Sequence, residues 1–122
     1  MAQPVSAQGL IDITATFVRL YVFLTQYLDR CLDQAKRESF PEHELQAHLS
    51  STRASMSEIL TVNPVVQAKV ERECDRILDL GVALLKDGVE RSAVINKIQA
   101  ERAVLREKTL ALSDILAVFR AL

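Results

Sequence analysis

The sequence predicts an all-α fold, either a four-helix bundle or a pair of helical hairpins, with long first and last helices. Three observations predict it. Apolar residues recur at helical spacing along most of the 122 residues, cap and break signals fall at three places, and turn residues are scarce, with three glycines and three prolines. An all-β chain of this size normally carries more turn residues and more aromatics than the 5% found here.

The first helix is expected after a flexible segment, residues 1–9, and runs to about Arg37. Leu10, Ile13, Phe17, Leu20, Leu24, Tyr27 and Cys31 alternate at spacings of three and four, a heptad seam of the coiled-coil kind. Val18, Tyr21, Leu28, Leu32 and Ala35 form a second stripe, and Val22 and Phe23 add apolar surface on further sides. Such a helix is central or meets partners on two sides. Residues 10–122 then read as one helical-bundle domain, long enough to bury a core without metal or disulfide staples.

Ser39, with Glu42 three residues on, spells a capping box, and Pro41 fits the first turn of a second helix reaching about Leu60. That helix has a thin stripe, Leu45, Leu49, Met56, Ile59 and Leu60, among many serines. Asn63-Pro64 reads as N-cap and first helical residue of the third helix, which carries Val66, Val70, Cys74, Ile77, Leu78, Leu84 and Leu85. Gly81 inside it marks either a close helix contact or a weak point. Gly88 is expected as the left-handed residue ending the third helix, with Val89 folding back. The fourth helix, from Glu90 or Ser92 onward, places Ile98, Leu105, Leu112 and Phe119 seven apart, flanked by Val94, Ile95, Ile115 and Leu116. The outer helices are each roughly 45 Å long and the middle ones about 30 to 35 Å. The mismatch leaves parts of the outer helices without an intramolecular partner; the other reading is that both apolar seams are consumed by the chain's own core.

The chemistry-bearing residues give little. Cys31 and Cys74 lie on apolar helix sides and read as small buried hydrophobes in a cytoplasmic protein. No basic residue precedes Arg19, so a signal peptide lacks its start, and the most apolar stretch, 17–28, is too short to span a bilayer. His43-Glu44 followed by His48 invites a zinc reading. The second histidine is at i+5, about 140° round the helix, which puts the pair on different faces. Glu71, Asp75 and Asp79 share their turns with Arg72 and Arg76 and read as a salt-bridged face. The serines lack a Gly-rich oxyanion turn. No catalytic residue, metal or cofactor is therefore expected.

Arg91, Lys97, Arg102, Arg106 and Lys108 make a basic run interleaved with Glu90, Glu101 and Glu107 in a chain of net charge -1. That pattern argues against nucleic acid as a partner. Ala47-His48 and the small residues after it resemble, in part, the histidine-containing phosphotransfer domains, helical bundles with an exposed histidine. That family's signature places Lys and Gly three and four residues on, where this chain has Ser51 and Thr52.

What remains is surface for other helices. The sequence reads as a non-enzymatic interaction module, a small adaptor, assembly or secretion chaperone, or regulator. Its expected partner is protein, a second copy in a homodimer or a helical partner, with neither nucleic acid nor membrane. The expected contact residues are Phe17, Leu20, Leu24 and Tyr27 on the first helix and Leu112, Ile115, Leu116 and Phe119 on the fourth. The alternatives are a phosphotransfer-like module using His48 and a small helical nucleic-acid-associated regulator.

Overall fold

A computed structural model describes residues 7–37, 41–86 and 90–121. Four helices follow one another: α1 (Ala7–Ala35), α2 (Glu42–Thr61), α3 (Pro64–Leu85) and α4 (Arg91–Ala121). There is no strand among the described residues. Long, short, short, long is the order the sequence predicts.

The contacts between helices fix their directions. Asp29 pairs with Arg102 and Tyr21 lies under Lys108, so α1 and α4 are antiparallel. Arg37 meets Glu44 while Tyr27 meets His48, so α2 also runs against α1. Thr16 contacts Asn63 and Tyr27 contacts Leu78, so α3 runs with α1. Successive helices thus alternate up and down, as short connections require. α1 packs on all three other helices, whereas α2 and α4 do not meet. That is the central position its all-round apolar surface demands.

The first seam supplies the core. Leu20, Leu24, Tyr27 and Cys31 are buried, joined by Tyr21, Leu28, Leu32 and Ala35 of the second stripe. They pack with Leu45, Met56, Ile59 and Leu60 of α2, with Val66, Val70, Cys74, Ile77, Leu78 and Leu84 of α3, and with Val94, Ile98 and Leu105 of α4. Thr52 is buried too and fills the middle of the thin α2 stripe.

Gly81 answers the either-or of the sequence in favour of close contact. A Cβ built there falls 1.9 Å from the Tyr27 hydroxyl oxygen. The absent side chain lets α3 approach α1 across the diagonal of the bundle, and there the Tyr27 hydroxyl donates to the Leu78 carbonyl at 3.0 Å. A buried hydroxyl needs such a partner.

Several boundary expectations shift. α1 already includes Gly9, so helix starts at Ala7 rather than after a loose segment ending at Gly9. α2 starts at Glu42 with Pro41 at its N-cap, and the Pro41 carbonyl accepts the Leu45 amide at 3.0 Å. Glu42 is thus the first helical residue, not the third turn position of a capping box; Ser39 itself lies outside the described residues, as do Gly88 and Val89. Asn63 does occupy the N-cap of α3, with Pro64 next, but its side chain makes no capping bond. Its amide donates backward to the Ile59 carbonyl at 2.8 Å, and its Oδ1 faces the Thr16 hydroxyl. Asn63 therefore closes the end of α2 and ties the turn to α1. The paired acids of α3 are not matched by the arginines beside them: Arg76 reaches across to Glu101 of α4.

Candidate functional site at the apolar end of the bundle

At one end the four helices finish nearly flush, with Arg37 of α1 against Glu44 of α2. At the other end they do not. The α2–α3 turn lies level with Thr16, through the Thr16–Asn63 contact. Residues 7–15 of α1 and the last two turns of α4 continue past that turn by about 13 Å. A pair of helices without a second pair opposite leaves an apolar face open, because each helix can cover only one side of its neighbour.

The expected contact residues divide between core and surface. Leu20, Leu24 and Tyr27 are at most 1% exposed and Leu116 is also buried. Leu20, Leu24 and Tyr27 serve the chain's own core, because the α1 seam is covered by the other three helices, whereas Leu116 is buried on α4 outside that cluster. Phe17 is half-buried with its ring tilted 33° against Tyr21, and Leu112 and Phe119 are half-buried. Only Ile115 of the expected set is exposed.

The exposed apolar residues are largely others. Leu10, Val62, Val65, Ile115 and Val118 are between 43% and 76% exposed and all lie at the protruding end or on the turn beside it. Val22 and Leu110 line a shallow groove of about 200 Å³ between α1 and α4 further along. Val104 lies nearer the opposite end. Over 7–18 and 109–121 the only charged residues are Asp12, Asp114 and Arg120. Val62 and Val65 were missed by periodicity because they flank the Asn63-Pro64 break, where no stripe continues. Their signal was the pair of valines bracketing a turn otherwise built of polar and proline residues.

The flush end and the middle carry the polar groups. Arg37–Glu44 and Arg102–Asp29 bridge neighbouring helices, and Lys108 bonds Glu73 at 2.8 Å while covering the Tyr21 ring. Two members of the basic run on α4, Arg102 and Lys108, are thereby matched to acids. Burial and then the Glu73 carboxylate push the Tyr21 hydroxyl up to about 12. Cys31 and Cys74 are free and buried, and burial raises their thiols to about 11 and about 12. Both thiols stay protonated near neutrality, which makes them poor nucleophiles.

His48 stacks on Tyr27, ring centroids 5.2 Å apart, with its Nε2 buried and without a hydrogen-bond partner. Burial first, and the Arg30 charge second, hold its imidazole below the ordinary pKa. His43 is exposed on another face of α2. No group of three or more metal-ligating side chains comes together among the described residues, and no helix there is long and apolar enough to cross a membrane. Comparison with protein-family models, curated proteins and solved structures finds no match to this chain.

Proposed function

We propose that the chain is a non-enzymatic, cytoplasmic interaction module that joins helix to helix through its protruding α1–α4 end, with a second copy as the first partner. The observation that carries this reading is the clustering of Leu10, Val62, Val65, Ile115 and Val118 at one end. Single exposed apolar side chains are ordinary, but a cluster on a nearly uncharged end marks an interaction surface. Each large apolar side chain removed from water contributes roughly 1.5–3 kcal/mol. A few of them on each copy are enough to offset the entropy of association at micromolar concentration. A two-fold dimer doubles every contact, so one modest patch suffices. The buried free cysteines suit a reducing compartment. A role as adaptor or assembly chaperone extends the same surface to a partner's helix.

The phosphotransfer alternative needs an imidazole nitrogen open to a phosphoryl donor, and the burial of Nε2 against Tyr27 speaks against it. Amide hydrogen exchange at rising protein concentration tests the proposal. Exchange should slow over 7–18, 61–66 and 109–121 and stay unchanged over Glu42–His48 and Arg91–Lys97. Protection that does not change with concentration at the protruding end would remove the self-association reading.

A further inference from the structure

We propose that the groove between α1 and α2 is an oxyanion site, taking a phosphoryl group through Arg30, Ser51 and Ser55. The sequence of α2 creates the space. Where α2 faces α1 it presents His48, Ser51, Thr52 and Ser55 in place of the leucines that would close a helix–helix contact. Small side chains leave a groove of about 320 Å³, whose floor is the Tyr27–His48 pair. That volume is in the range of small-molecule sites.

The walls are donors that have no partner among the described residues. The hydroxyls of Thr14, Thr16, Thr25, Thr61 and Thr109 each bond the carbonyl one turn back in their own helix. Ser51 and Ser55, at i and i+4 on one face of α2, make no such bond, nor any other among the described residues. Arg30 lines the same groove and forms no ion pair among the described residues. It lies near enough to His48 to act on it electrostatically. Among the described residues no carboxylate lines the groove. The hollow next to it adds Ala47 and, among the described residues, one carboxylate, Glu44, which is held by Arg37.

The other side of α2 provides the contrast. There Arg53 shares a groove with Glu71, Asp75 and Asp79, whose carboxylates repel an anion. A planar guanidinium with two hydroxyls matches a tetrahedral oxyanion, because each oxygen accepts a charge-assisted bond. The Gln26 amide at the rim adds a further donor.

Titration of the folded chain with inorganic phosphate, followed by amide NMR at constant ionic strength with chloride as the reference, tests the site. Saturable shifts should centre on Arg30, Ser51 and Ser55. Arg30→Gln should weaken binding about tenfold, the loss of one charge-assisted contact. The double variant Ser51→Ala, Ser55→Ala should weaken it as well, and Arg53→Gln should leave it unchanged. Helical far-UV spectra for all variants separate loss of the site from loss of the fold. A parallel titration with O-phosphoserine separates sources: equal affinity identifies the free anion, and tighter binding identifies a phosphate ester whose organic part occupies the rest of the groove. Shifts that grow without saturating, or equal weakening by Arg53→Gln, would overturn the proposal.

Discussion

The two ends of this bundle are built from the same four helices and carry opposite surfaces. At the flush end the exposed residues include Lys36, Arg37, Glu42, His43, Glu44, Lys86, Glu90 and Arg91. At the protruding end they include Leu10, Val62, Val65, Ile115 and Val118. The difference follows from helix length. α2 and α3, with 20 and 22 residues, stop level with Thr16, whereas α1 and α4, with 29 and 31, continue. Where four helices share a core, polar residues can face outward. Where only two remain, apolar residues that keep the pair together cannot all be covered.

The middle of the bundle holds both ends in place, so the largest effect is expected there. Gly81→Ala puts a methyl group onto the Tyr27 hydroxyl, which is the tip of a rigid, fully buried ring. Either α3 moves off α1 or the Tyr27–Leu78 hydrogen bond breaks, at a cost of about 2–4 kcal/mol in urea unfolding. Tyr27→Phe alone should cost about 1 kcal/mol. In the double variant the clash is relieved, so the two costs should sum to more than the measured loss. Strict additivity would show that Gly81 does not act through Tyr27.

At the protruding end, Asn63 is the polar pin. Asn63→Ala removes the bond to the Ile59 carbonyl and the contact with Thr16. A loss of about 1 kcal/mol is expected. In a double-mutant cycle with Thr16→Ala the coupling should account for only a part of that loss, since the Ile59 bond does not involve Thr16. At the flush end, Arg37→Ala should change stability by less than about 0.5 kcal/mol, because both partners of that ion pair are more than half exposed.

Acid should act on the flush half through His48. In the unfolded chain the imidazole takes its proton near its ordinary value of about 6.5. In the folded chain burial and Arg30 lower that value. The unfolded state therefore binds the proton first as pH falls. The stability contributed by neutral His48 is complete above about pH 6.5 and is lost as pH falls toward the folded value. His48→Gln should remove that part of the pH profile and leave the carboxylate-driven part at lower pH. An identical profile in the variant would show that His48 is not coupled to folding.

The sequence made the number, order and relative lengths of the helices readable because each depends on local signals: periodicity, proline placement and a break at Asn63-Pro64. It also showed that α1 is central, since Tyr21, Val22 and Phe23 point about 100° apart round one helix and a single neighbour cannot cover all three. It could not show what covers a seam. Phe17, Leu20, Leu24 and Tyr27 form a single apolar line, yet the last three are sealed by this chain and the first is only half-buried. A heptad pattern reports that a face is apolar and is silent on whether its partner lies in the same chain. Asn63 shows the same limit on a smaller scale. Its position at a helix start was legible, but the backward direction of its side chain depended on the nearness of Thr16, a tertiary fact. The groove beside His48 was hidden for a related reason: serines on a helix read as solvated until a neighbouring helix is placed against them.

The most direct test of the account is the mass of the protein in solution, measured by light scattering across a concentration series, for the unmodified chain and for the double variant Ile115→Asp, Val118→Asp. Both side chains are exposed, so their replacement should change monomer stability by no more than about 0.5 kcal/mol. The unmodified chain, 13.6 kDa, is expected to move to twice that mass as concentration rises, while the variant remains a helical monomer throughout. A monomer at every concentration for the unmodified chain, or a dimer that survives both aspartates, would contradict it.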